Sequence, residues 1–137
     1  MGLVTTLRRH LAPPRAEDDD RDELAIRGER KARGYLERRG YLTLEVRFRA
    51  KVGEVDLVMQ DGEAIVFVEV KTRRSLSAGE PEEAVTPKKI DRIAAGATVY
   101  LKARRLAHRE ARIDVVSVTF DGRRARVRHH RNAAPLR

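Results

Sequence analysis

Glu69 and Lys71 stand two residues apart in the run Ala64-Ile65-Val66-Phe67-Val68-Glu69-Val70-Lys71, so an acid and an amine share one side of a strand formed there. Upstream, Gly53-Glu54-Val55-Asp56-Leu57-Val58 places two further acids at the same spacing. Asp61-Gly62 separates the two runs, and Asp-Gly between apolar runs is a strong hairpin signal. With Asp61-Gly62 as a two-residue loop, Gln60 pairs with Glu63, Val58 with Ile65, Asp56 with Phe67 and Glu54 with Glu69. Glu54, Asp56, Glu69 and Lys71 then point the same way, with Asp56 diagonally across from Glu69.

Carboxylates gathered in this way repel one another unless a proton or a cation intervenes. A divalent cation resolves the conflict, and Mg²⁺ favours a few carboxylates with water and phosphate oxygens completing its shell. Asp56 and Glu69, with Glu54 beside them, are the candidate metal ligands. Lys71 is placed to orient a water and to stabilise charge developing on a phosphoryl group. Together with Asp56 and Glu69 it forms the candidate catalytic set for Mg²⁺- or Mn²⁺-dependent phosphodiester hydrolysis. The plain alternative for Glu69 and Lys71 is a weakly stabilising surface ion pair.

These residues need elements to position them. A helix is expected from about Asp22 to Arg39, closed by Gly40. Ala25, Glu29, Ala32 and Leu36 fall on one face of it, which makes Glu29 a carboxylate among small and apolar neighbours and a further candidate for the metal shell. Strands are expected over 41–49, 54–60 and 64–72, the last apolar without alternation and hence covered on both faces. A second helix starts at Thr86-Pro87, presents Ile90, Ile93, Ala97, Tyr100 and Leu101 as its apolar stripe, and ends near Ala107. A strand over 113–120 follows, then a short one over 124–128. The order α-β-β-β-α-β(-β) implies a mixed sheet flanked by helices. Residues 1–20 read as a flexible arm, 21–120 as the domain, and 121–137 as a short strand with a basic tail.

The chain has 137 residues, no cysteine and a formal net charge of +9. Disulfides and thiolate zinc sites are excluded, and a reducing, cytoplasmic setting is expected. The charge favours a polyanionic partner, of which nucleic acid is the commonest. Arg73 and Arg74 follow the acid–amine pair, Arg47 and Arg49 alternate on the preceding strand, and Lys89 sits at a helix start. These five are the candidate phosphate contacts. No stretch approaches the roughly 20 apolar residues of a membrane span. His10, His108, His129 and His130 lack metal-ligand spacing and read as surface or tail residues.

The segments Gly53-Glu54-Val55-Asp56-Leu57-Val58 and Val66-Phe67-Val68-Glu69-Val70-Lys71-Thr72-Arg73 resemble the signature of the YraN-like family of small bacterial proteins. Gly28-Glu29, Tyr35-Leu36, Gly40-Tyr41, Ala84-Val85, Lys89 and Ile113-Asp114-Val115-Val116 extend the resemblance over about residues 25–120. It implies a restriction-endonuclease-like fold of the PD-(D/E)xK nuclease superfamily, related to archaeal Holliday junction resolvases. Asp56 would then be the metal-binding aspartate, Glu69 and Lys71 the E-x-K pair, and Glu29 the helix-borne acid. The family pattern has an Arg-Asn pair where this chain reads Val46-Arg47-Phe48-Arg49. A metal-dependent nuclease acting on DNA, branched or flapped DNA included, is the leading expectation, with a homodimer by analogy to the junction resolvases. A non-catalytic nucleic-acid-binding module with the same fold and a protein-binding scaffold are the alternatives.

Overall fold

A computed structural model of the chain describes residues 16–75 and 85–136. Helix α1 (Ala16–Arg38) precedes strands β1 (Leu42–Ala50), β2 (Gly53–Asp61) and β3 (Ala64–Arg74). Helix α2 (Pro87–Ala103) leads to β4 (Ala111–Asp121) and β5 (Arg124–Ala134). The five strands lie side by side in chain order. Every pairing is antiparallel except β3–β4, which is parallel and bridged by α2. This is the expected mixed sheet with the expected element order.

The two faces of the sheet carry separate cores. Ala32 and Leu36 of α1 pack with Leu57, Met59, Val66, Val68, Val116 and Val118. Ile93, Ala97 and Tyr100 of α2 pack with Val55, Val58, Ile65, Phe67 and Ile113 on the other face. Ile65 to Val68 are therefore buried on both sides, as their unbroken apolar run requires. Among the described residues no helix is long and apolar enough to cross a membrane.

Several boundaries differ from expectation for physical reasons. Residues 16–20, expected in a flexible arm, form the start of α1, where Glu17, Asp18 and Asp19 complement the positive end of the helix dipole. The first 15 residues of that arm lie outside the described residues. Helix α2 ends at Ala103 rather than near Ala107. The hairpin turn is Gly62-Glu63, because Asp61 stays in the ladder opposite Ala64, held by Arg112 at 3.0 Å and Arg131 at 3.4 Å. Gln60 thus pairs with Ile65 and Val58 with Phe67. The tail is ordered as well, since β5 runs on to Ala134. His129, expected at the surface, is 8% exposed, with its Nε2 2.8 Å from Oδ2 of the fully buried Asp114. Arg112 Nε and the Asn132 N–H also donate to Asp114, so this buried charge is fully paired.

Two glycines let the helices reach the sheet beside the candidate acids. A Cβ on Gly53 would stand 1.9 Å from the Arg92 carbonyl oxygen of α2, and one on Gly28 of α1 would stand 1.8 Å from Thr72 Oγ1. The contact at Gly53 is to backbone and cannot rotate away. Gly53→Ala is expected to destabilise the fold by about 2 kcal/mol or more, read as a lowered urea midpoint with an unchanged slope.

Candidate active site

The site forms where β2 parts from β3. Their ladder runs from the Asp61–Ala64 pair to the Leu57–Val68 pair and stops. Beyond it the Val70 N–H donates not to a strand carbonyl but to Oδ2 of Asp56, at 2.8 Å. The cause is a local break in alternation. Leu57 packs on the α1 side, yet Val55, two residues earlier, packs on the α2 side. Opposite Asp56 on β1, Arg47 takes a left-handed backbone with φ 54, a conformation that strains a residue bearing a long side chain. Both strands turn over at this point while Val46–Leu57 and Phe48–Val55 stay in register.

The expected alternation of Glu54, Asp56, Glu69 and Lys71 onto one side therefore fails in β2. Asp56 and Glu69 nevertheless come together, because they are the next residues in the shifted register and face the same opening. A cleft of about 360 Å³ is lined by Arg21, Leu24, Ala25 and Glu29 of α1 and by Asp56, Glu69, Val70, Lys71 and Thr72. Asp56, Glu69, Lys71 and Glu29 are thus brought to one cavity.

Glu54 and the expected phosphate contacts are placed differently. Glu54 accepts from Lys89 Nζ at 2.9 Å and is also bridged by Arg49. Glu29, on the flank of the buried Gly28-Ala32-Leu36 row, accepts from Arg47 Nε at 2.8 Å. Arg74 pairs with Asp20 at 3.0 Å, and Arg73 Nε lies 3.5 Å from Thr119 Oγ1. Arg47, Arg49, Arg74 and Lys89 are each engaged by an acid of the chain. Lys89 has a further role that its place in the chain hides, because its Nζ is 3.9 Å from Glu69 Oε2. Its signal is only indirect: Thr86 Oγ1 caps the Lys89 N–H at 3.2 Å, which fixes Lys89 in the first turn of α2.

Glu69 is 6% exposed, and its Oε2 is buried without a hydrogen-bond partner. Burial, reinforced by the charge of Asp56, pushes its pKa up to about 7 against the pull of Lys89 and Lys71. Burial also raises the pKa of Asp56, opposed by the Val70 N–H and supported by Glu29. The bond from Lys89 lowers the pKa of Glu54. Half-buried Asp56 and buried Glu69 are thus both held above their ordinary range, and one carboxylate oxygen of Glu69 lacks a hydrogen bond. Among the described residues no three acidic or histidine side chains form a closed metal cage. The pair suits an open site of the Mg²⁺ kind, with one or two carboxylates and the remaining positions left to water and phosphate.

Glu69 should mark the pH dependence of stability. Between its ordinary value of 4.5 and its folded value of about 7, the unfolded chain has released this proton while the folded chain retains it. The folded state binds more protons in that window, so stability falls as pH rises through it. Glu69→Gln is expected to remove this slope and to exceed the wild type in stability above pH 7 by on the order of 3 kcal/mol. Urea unfolding of both proteins on either side of the window reads the difference.

The chain matches the model of the uncharacterised protein family UPF0102 over residues 28–118, which includes every acid and amine of this site. It is 45% identical over 111 residues to a UPF0102 protein of Syntrophomonas wolfei, covering 81% of this chain and 96% of that one. A UPF0102 protein of Geobacter metallireducens is 45% identical over 113 residues, with 82% and 93% covered. One of Anaeromyxobacter dehalogenans is 42% identical over 113 residues, with 82% and 84% covered. The match runs from the middle of α1 through most of β4, and the chain belongs to the UPF0102 family, the YraN-like proteins that its motifs resemble.

Proposed function

We propose that this protein is a divalent-metal-dependent nuclease that hydrolyses phosphodiester bonds in DNA, branched or flapped DNA included. The observation that carries the reading is the pairing of half-buried Asp56 with buried Glu69 at the parting of β2 and β3, with Glu69 Oε2 lacking a hydrogen bond and Lys71 on the same cleft. Asp56 and Glu69 would hold Mg²⁺ or Mn²⁺, which supplies Lewis acidity toward a phosphoryl oxygen and toward water. Asp56 is fixed for this by the Val70 N–H, so its carboxylate needs no reorganisation. Lys71 brings a positive charge to the cleft, where it orients a water and stabilises charge on the phosphoryl oxygens as the leaving oxygen departs. Glu29, anchored by Arg47, bounds the α1 side of the cleft and adds negative potential that favours a cation.

One contact favours the second reading, a nucleic-acid-binding module that does not cut. Lys89 already places an ammonium 3.9 Å from Glu69, so the acids have a resident counterion. Activity separates the two. Linear, nicked, flapped and four-way DNA incubated with Mg²⁺ or Mn²⁺ should be cut by the wild type. Lys71→Ala and Asp56→Asn should each lower the rate by about 100-fold or more. Equal cutting by all three proteins would mark a contaminant and remove the catalytic reading. In parallel, Mn²⁺ at 100 times its dissociation constant should stabilise the wild type by about 2.7 kcal/mol, and Glu69→Gln should lose that gain.

A further inference from the structure

Lys89 stands between two acids and serves them unequally. Its Nζ donates to Glu54 Oε1 at 2.9 Å and lies 3.9 Å from Glu69 Oε2. Hydrogen bonds from nitrogen to oxygen form at about 2.7–3.2 Å, so the ammonium stops roughly 1 Å short of Glu69. Yet Glu69 Oε2 is buried without a hydrogen-bond partner, and the Lys89 side chain is 30% exposed on a flexible four-carbon stem. A small rotation of that stem would close the gap.

What holds Lys89 back is the way Glu54 is mounted. A Cβ on Gly96 of α2 would stand 3.0 Å from the Glu54 backbone nitrogen, so the two backbones are in close contact. Arg49 of β1 bridges the other oxygen of Glu54, Oε2, and leaves Oε1 to Lys89. Thr86 Oγ1 accepts from the Lys89 N–H at 3.2 Å and fixes the root of the lysine stem. Both ends of the ion pair are therefore anchored by backbone. The other charges around the acid pair are already assigned. Glu29 is answered by Arg47 at 2.8 Å, and Lys71 lies on the cleft with Asp56 and Glu69.

We infer that Glu54 is a restraint on Lys89, keeping its ammonium off Glu69 so that this carboxylate stays open to a divalent cation. The inference rests on the metal reading of Asp56 and Glu69. It gives new roles to Glu54, expected as a metal ligand, and to Lys89, expected as a phosphate contact. Both are positioning residues that act through Glu69. Without Glu54 the ammonium would move onto Glu69 Oε2 and form a direct ion pair, and a metal would then have to displace it. Without Lys89 the acids would lose a repelling charge and hold a metal more tightly. The two halves of one ion pair thus act on metal binding in opposite directions, and the effect of Glu54 passes through Lys89.

A double-mutant cycle read by Mn²⁺ binding tests the restraint, with no nucleic acid present. The pH is set above the folded value of about 7 for Glu69, so that protons do not compete with the metal. Lys89→Met should tighten Mn²⁺ binding by about 10-fold. Glu54→Gln, which keeps the shape of the side chain and frees the ammonium, should weaken it by about 10-fold. The double variant should bind like Lys89→Met alone, because no ammonium is left to release. A double variant that returned to the wild-type affinity would reveal two independent charges and overturn the restraint. Weakening by both single variants, the mark of an ion pair that only holds α2 on β2, would overturn it too. Asp56→Asn tests the metal reading separately and should abolish binding. Its loss of Mn²⁺ alongside an additive cycle would leave the metal site standing and remove the restraint alone. Absent wild-type binding, or binding unchanged in Asp56→Asn, would remove the metal reading and the restraint with it.

Discussion

Beyond Leu57 and Val68 the ladder between β2 and β3 has no further rung, and the Val70 N–H takes the carboxylate of Asp56 in place of a strand carbonyl. A buried N–H left without an acceptor costs about 1–3 kcal/mol, so this single bond lets the two strands separate inside a packed sheet. It also fixes what occupies the gap. An acid drawn inward to cap a strand cannot stay fully hydrated, and its raised pKa records that burial outweighs the bond it receives. Glu69, next to the parting on β3, is buried there and pushed in the same direction by its neighbour's charge as well. The charge problem of the site is thus a consequence of the strand separation.

The surrounding elements hold the gap at a set width. Gly28 lets α1 reach Thr72 on one side, and Gly53 lets α2 reach the start of β2 on the other. Side chains at these points would push the helices outward and carry Glu29 and Lys89 away from the acids. Arg47 contributes from the edge strand. Its left-handed backbone turns β1 over in step with β2, and its guanidinium then ties Glu29 to the sheet. Acids on three elements are held by backbone contacts and ion pairs rather than by a loop, which is the rigidity a preorganised site requires.

The sequence showed the elements and the acid pair more faithfully than the path that unites them. The hairpin register was displaced because Asp61, a residue typical of turns, is held in the strand by Arg112 and Arg131, which arrive from distant β4 and β5. The displacement moves each partner by two residues, an even number, so faces along the ladder from Asp61 to Leu57 are kept and Asp56 falls next in line with Glu69. The turn-over at Arg47 and Asp56 left no such trace. Asparagine tolerates positive φ well, whereas arginine carries no signal of a left-handed backbone. His129 departs from its expected surface position for a related reason. Its alternation with Ala125 and Val127 was visible, but the partner that brings it inside, Asp114, lies on another strand.

Charge is the last constraint, and net charge describes it poorly. Although the chain carries +9, Arg47, Arg49, Arg74 and Lys89 each face an acid of the same molecule. Lys89 matters most, because it answers Glu54 at 2.9 Å and reaches Glu69 only at 3.9 Å. One ammonium shared in this way satisfies Glu54 and leaves Glu69 Oε2 without a hydrogen bond. A divalent ion between Asp56 and Glu69 would carry twice the charge to the oxygens that Lys89 serves least, without displacing Lys89 from Glu54. The ion pair and the metal therefore need not compete for the same carboxylate. Glu54 and Lys89 hold the start of α2 against β2 and leave Glu69 Oε2 without a hydrogen bond, the opening on which the proposed metal site rests.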